Sequence, residues 1–126
     1  MYFFKKKVCK EGHMMDPSWK KCPICLFPVI GWLVLLDEKK NSKNIILNIH
    51  EGKNKIGTGI DCEIRTLFNS ISRHHAMLSF EYGHYTITDL GSSGGTFVNN
   101  RQISNHHIID GDIIKLGNVE FKFKCI

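Results

Sequence analysis

An all-β fold is predicted for this chain by three observations. From Ile30 onward there is no sustained 3.6-residue apolar period, only short apolar or alternating runs. Clusters of Gly, Asn, Asp and Ser interrupt those runs at brief intervals. The pair Gly117-Asn118 between two such runs is the strongest hairpin signal in the sequence.

The predicted strands follow in order. Residues 31–36 and 45–49 form the first two, joined by the polar stretch 37–44 as a hairpin with an extended turn. Residues 76–82 and 85–90 flank a Gly83-His84 turn, and 96–98 and 102–103 flank Asn99-Asn100-Arg101. Residues 113–116 and 119–124 flank Gly117-Asn118. Strands this numerous need two packed sheets, so the pattern predicts a β-sandwich of about 95 residues whose function sits on its loops.

Length and composition bound the rest. With 126 residues and 42% hydrophobic content, the chain supports one core and a small appendage. The longest apolar run, 24–36, is broken by Pro28 and Gly31 and is too short to span a bilayer, for which roughly 20 residues are needed. Met1 to Lys7 places aromatics and lysines first with no apolar stretch after them, so no export signal is expected and the protein reads as cytoplasmic, without membrane attachment. Abundant Lys, Asn and Ile point to an AT-rich genome and, together with the bacterial style of the cysteine-histidine segment in residues 9–25, to a bacterial cytosol. Of the net charge of +5, the first 25 residues carry +4, six lysines against Glu11 and Asp16. That basic face makes nucleic-acid binding through Lys5, Lys6, Lys7, Lys10, Lys20 and Lys21 an alternative, although no aromatic stacking pattern accompanies it.

Five cysteines do not suit a disulfide framework. Cys62 and Cys125 sit in apolar, strand-like surroundings and read as small hydrophobes. The other three join a histidine in the pattern C-x3-H-x8-C-x2-C, formed by Cys9, His13, Cys22 and Cys25. Three thiolates and one imidazole close a tetrahedral shell around Zn²⁺, which makes the expected metal structural and not catalytic. Residues 1–28 are too few to bury a core, so their order is expected to come from zinc, with residues 29–126 forming the sandwich. Residues 9–25 also resemble short bacterial zinc ribbons of the CxxGHxxDPxxxxCPxC type.

The loops of the second region carry a further resemblance. In order they read Ile56-Gly57-Thr58, then Ser72-Arg73-His74-His75-Ala76, then Asp89-Leu90-Gly91-Ser92-Ser93-Gly94-Gly95-Thr96-Phe97-Val98-Asn99, then Gly111-Asp112. This succession resembles the forkhead-associated (FHA) family, whose pattern runs I-G-R, S-R-x-H-A, D-L-x-S-x-N-G-T-x-V-N and a late G-D. The resemblance implies a sandwich of about eleven strands that binds phosphothreonine peptides on loops at one end and has no catalytic centre. It implies that Ser72, Arg73 and Ser93 face the phosphopeptide, and that His75 braces the loop. Thr58 stands where the family has arginine and Gly94 where it has asparagine, the residue that in the family holds the peptide backbone beside the phosphothreonine. Lys55, Arg65 and His74 are the cations within reach in sequence to replace the missing charge. Gly57, Gly91, Gly95, Gly111, Asp89, Thr96 and Asn99 read as architecture.

The function that follows is a non-enzymatic signalling adaptor that binds a protein partner through these loops. In one version the partner is threonine-phosphorylated; in the alternative, binding is phosphate-independent. No nucleophile stands beside a base, and no Gly-rich loop leads into a helix, so no enzyme chemistry is indicated. Oligomeric state is not encoded in any pattern here. If zinc orders residues 1–28, purified protein will carry one equivalent by elemental analysis. A chelator will then render that segment protease-sensitive while the sandwich stays resistant; full resistance after metal removal would exclude the zinc reading.

Overall fold

The computed structural model describes residues 7–8, 14–15, 28–36 and 45–125. Strands β1 (Lys7–Val8) and β2 (Met14–Met15) pair antiparallel. Cys9, His13, Cys22 and Cys25 lie outside the described residues, as does the connection 37–44.

Eleven further strands build the sandwich: β3 (Val29–Leu36), β4 (Ile46–His50), β5 (Gly52–Gly57), β6 (Ile64–Arg65), β7 (Ala76–Glu81), β8 (His84–Asp89), β9 (Thr96–Val98), β10 (Arg101–Gln102), β11 (Asn105–Ile108), β12 (Ile113–Leu116) and β13 (Val119–Cys125). A six-stranded sheet runs β10-β9-β12-β13-β3-β4, and a five-stranded sheet runs β11-β8-β7-β5-β6. All pairings are antiparallel except β5 with β6, and no helix occurs among the described residues.

Period-two alternation explains the core. In β7, Ala76 and Leu78 point inward, and in β13 Phe121 and Phe123 do so while Glu120 and Lys122 face water. Together with Leu33, Ile49, Ile56, Ile87, Ile114 and Leu116 these side chains are wholly buried in one cluster fed by both sheets. Cys62 is buried and Cys125 half-buried, both as free thiols, in keeping with their reading as packing residues.

The hairpins follow local turn chemistry, with two shifts of register. The turn between β7 and β8 is Tyr82-Gly83, both with positive φ (53° and 77°), so His84 begins the next strand instead of completing the turn. Asn99 and Asn100 likewise take positive φ (49° and 69°), which leaves Arg101 to open β10. The β12–β13 turn is Gly117-Asn118, as the sequence predicts.

Two strands of the five-stranded sheet have no apolar signature. β5 reads Gly-Lys-Asn-Lys-Ile-Gly, yet Asn54 is buried at its centre. Its carboxamide accepts the His50 N–H (3.0 Å) and donates to the carbonyls of His50 (2.7 Å) and Leu78 (3.3 Å). A satisfied amide is tolerated inside, so a polar residue occupies a core position without cost to the sheet. β11, at the edge, is Asn-His-His-Ile with only Ile108 buried. Replacing Phe121 by Ala will lower stability by about 3–5 kcal/mol in chemical denaturation, because the residue lies at the junction of β12 and β3 with no water access.

Candidate functional site

The end of β5, the start of β7, and the β8–β9 connection meet at one end of the sandwich. β5 keeps its neighbour beyond its last residue: the Thr58 N–H donates to the Ser72 carbonyl (3.2 Å) and the Gly59 N–H to the Arg73 carbonyl (3.0 Å). Gly57 permits this approach. A Cβ there would lie 2.0 Å from the Arg73 carbonyl oxygen and 2.9 Å from that of Ser72, so any other residue would push apart the strands that present them.

His75 joins the two loops. It is fully buried; its Nδ1 accepts the Ser72 N–H (3.0 Å), and its Nε2–H donates to the Gly95 carbonyl (2.8 Å). These partners require a neutral ring with its proton on Nε2. The bracing role implied for His75 is therefore observed. Asp89 organises the second loop. One carboxylate oxygen accepts the hydroxyls of Ser92 (2.6 Å) and Thr96 (2.8 Å), and the other accepts the N–H groups of Gly91 (3.1 Å) and Ser92 (3.3 Å). Burial by itself pushes the Asp89 carboxyl up. The hydrogen bonds from Ser92, Thr96 and the Ser92 and Gly91 amides outweigh it, and hold the group below the usual carboxylate range. Asn99 anchors the following turn on Asp112 and Ile113.

On this frame Ser72 and Ser93 come together. Their hydroxyl oxygens are 3.3 Å apart, and the Ser93 N–H donates to Ser72 Oγ at 3.3 Å. Arg73, His74, Ser93 and Gly94 are exposed. Arg73 and His74 line an open groove with Thr58, Gly59, Ile60 and Asp61. All six expected site residues, Thr58, Ser72, Arg73, His74, Ser93 and Gly94, thus fall at one rim, with Gly94 against Gly117 and Ser70 of neighbouring elements.

The nearby cations differ in what they already hold. His74 Nε2 lies 2.9 and 3.0 Å from the two Asp61 oxygens, and Lys55 Nζ lies 3.4 Å from one of them. The hydrogen bond from His74 is the main reason the Asp61 carboxyl sits below its ordinary range. Asp61 therefore absorbs two of the three cations that stood in reach by sequence. Arg65 is the third. β6 runs parallel to β5 with Arg65 opposite Gly57, and Arg65 Nε donates to the Thr58 carbonyl at 3.4 Å. Sequence reasoning gave Asp61 no role at the site, since no motif marks it and it matters only because the turn after β5 folds back onto His74. Asp61, Cys62 and His74 bring carboxylate, thiol and imidazole within 4.8 Å of one another. Each is already engaged, the thiol donating to the Arg73 carbonyl (3.2 Å), and the group serves as a charge-balanced brace.

Comparison with known proteins bears on this geometry. The FHA domain family pattern matches residues 54–117, which include every element described at this end. The chain belongs to the FHA domain family. It is 36% identical over 72 residues, 57% of its length, to the FHA domain-containing protein FhaA of Mycobacterium tuberculosis, and spans only 14% of that relative. Among solved structures it resembles the FhaA FHA domain complexed with the intracellular domain of Rv3910, with TM-score 0.63 and 30% identity, covering 75% of this chain and 99% of that one. An FHA domain solved in a study of phosphothreonine-dependent FHA interactions superposes with TM-score 0.63 at 28% identity, over 75% of this chain and 97% of that one. The FHA resemblance read from the loops, and the eleven-stranded sandwich it implied, are thereby established. No helix among the described residues is long and apolar enough to cross a membrane.

The Asp89 network yields a pH-dependent outcome. Because the folded carboxyl titrates below the ordinary value of 3.8, the stability it adds is present at neutral pH and is lost as pH falls through the folded value. Asp89→Asn will unfold at lower denaturant than wild type at pH 7, and the gap will narrow as pH drops below 3.8. A gap independent of pH would mean that shape, not charge, is what the loop needs.

Proposed function

We propose that this chain is a non-enzymatic adaptor whose FHA end binds a threonine-phosphorylated segment of a protein partner. The observation that carries the reading is the convergence of Ser72, Ser93 and Arg73 from two loops on one exposed rim. A phosphothreonine brings a charge of about −1.5 to −2 and three acceptor oxygens, which suit a cluster of hydroxyls beside a guanidinium. The FHA domain solved in a study of phosphothreonine-dependent interactions supports carrying that ligand class over to this site, and the FhaA FHA domain complexed with the intracellular domain of Rv3910 supports a protein partner.

Within this reading Arg73 is the principal cation, and Arg65, resting on the carbonyl of Thr58, is the replacement for the family arginine. His74 and Lys55 contribute less, because Asp61 holds both. Ser72 donates its hydroxyl to a phosphate oxygen, with the Ser93 hydroxyl beside it on the same rim. Residues 1–28 are proposed as a separate zinc-held segment through Cys9, His13, Cys22 and Cys25, with the ligand spacing as support, ahead of the sandwich in 29–126. A cytoplasmic setting is supported by the free thiols of Cys62 and Cys125.

The test is fluorescence titration of matched phosphothreonine and unphosphorylated peptide libraries. Wild type will prefer the phosphorylated set. Arg73→Ala will forfeit an interaction of about 1.5–3 kcal/mol, a drop of roughly tenfold to 150-fold, and Arg65→Ala a smaller amount. Equal affinity for both sets would replace this reading with phosphate-independent binding. Steep salt dependence toward unrelated nucleic acids would replace it with nucleic-acid binding.

A further inference from the structure

The asparagine that the family pattern places at position 94 is a glycine here, and the fold leaves no room to restore it. A Cβ on Gly94 would lie 2.9 Å from the Cα of Gly117 and 3.4 Å from the Ser70 carbonyl oxygen. The β12–β13 turn therefore occupies the space into which a side chain at 94 would start. That turn is fastened to both binding loops. The Gly117 N–H donates to the Gly95 carbonyl (3.1 Å), and the Asn118 N–H donates to Ser70 Oγ (3.2 Å). Gly117 itself, with φ of +61°, approaches the 70–72 loop so closely that a Cβ would sit 2.2 Å from the Ser70 carbonyl oxygen.

The same turn carries a carboxamide. Asn118 is exposed, and its side chain has no hydrogen-bond partner among the described residues. Successive Cα atoms are about 3.8 Å apart, so the Asn118 Cα lies within about 7 Å of the point where a Cβ on residue 94 would stand. A carboxamide offers two N–H donors and one carbonyl acceptor, the complement of a peptide group.

We propose that Asn118 supplies the carboxamide that Gly94 lacks, hydrogen bonding the backbone of the bound peptide beside its phosphothreonine. This rests on the phosphothreonine reading above and adds a specificity-determining residue to it. Gly94, Gly117 and Asn118 then form one exchange: a bare position in one loop admits the neighbouring turn, and that turn delivers the amide.

The experiment takes a phosphothreonine peptide selected on wild type from a degenerate library and measures its affinity for Asn118→Ala, Asn118→Asp, Gly94→Asn and Arg73→Ala, with thermal melts of each. Asn118→Ala is expected to weaken binding about fivefold at an unchanged melting temperature, as loss of one neutral hydrogen bond does. Asn118→Asp, which keeps an acceptor but loses both donors and adds a negative charge near the phosphate, is expected to weaken it further. Gly94→Asn is expected to lower the melting temperature without improving affinity. Unchanged affinity for Asn118→Ala together with a large loss for Arg73→Ala overturns this inference and leaves the phosphothreonine reading intact. A wild type indifferent to phosphorylation overturns both.

Discussion

A single buried imidazole holds the working end of this molecule together. His75 takes the N–H of Ser72 on one side and gives its own proton to the carbonyl of Gly95 on the other. Both partners are backbone groups of the two loops, and the Gly95 carbonyl takes the Gly117 N–H as well, so the ring ties three segments at one point. The ring therefore fixes the distance between the loop that carries Ser72 and Arg73 and the loop that carries Ser93. The close approach of Gly57 to the Arg73 carbonyl and the Asp89 network fix the remaining freedom of those loops. The loops are thus held from beneath the rim, which leaves Arg73 and Ser93 polar and exposed.

Charge at the rim is finely divided. Arg73 and Arg65 are not paired to any carboxylate among the described residues, whereas Lys55 and His74 share Asp61. On the proposed reading an incoming dianion meets the Arg73 and Arg65 guanidinium groups, with the Asp61 carboxylate nearby already held by Lys55 and His74. Guanidinium groups suit this task because their donors form a planar fork matched to phosphate oxygens. The proposed answer to the exchange of arginine for Thr58 lies in β6, since parallel pairing with β5 sets Arg65 opposite Gly57 at the strand end. The proposed answer to the exchange of asparagine for Gly94 lies in the β12–β13 turn.

Much of the fold was legible in the order of residues. The strands Thr96–Val98 and Ile113–Leu116 coincide with the predicted ones, and β3, β4, β7, β8 and β13 differ by a residue or two at their ends. These are segments where apolar alternation and turn residues agree. β5 and β11 were not predicted as strands, because Lys53, Asn54 and Lys55, or His106 and His107, hide the period in polar side chains. A buried amide with all its bonds made and a solvent-facing edge are both invisible to a hydrophobicity pattern. The turn residues Tyr82 and Asn100 show the same limit: whether positive φ falls on one residue or its neighbour depends on strand register.

What the sequence determined by itself is the order of its parts: a cysteine-histidine motif, an all-β run, and the succession of Gly57, Ser72-Arg73, His75, Asp89 and Gly95-Thr96 that marks the family. Those properties are local, set by residue type and spacing along the chain. What only the tertiary structure decided is which groups share the rim and which cancel one another. Asp61 capturing His74 and Lys55, Arg65 reaching the Thr58 carbonyl, and Asn118 arriving beside Gly94 all join residues from different strands and turns. Such neighbours are fixed by sheet pairing and steric exclusion, and neither can be read from the order of residues alone.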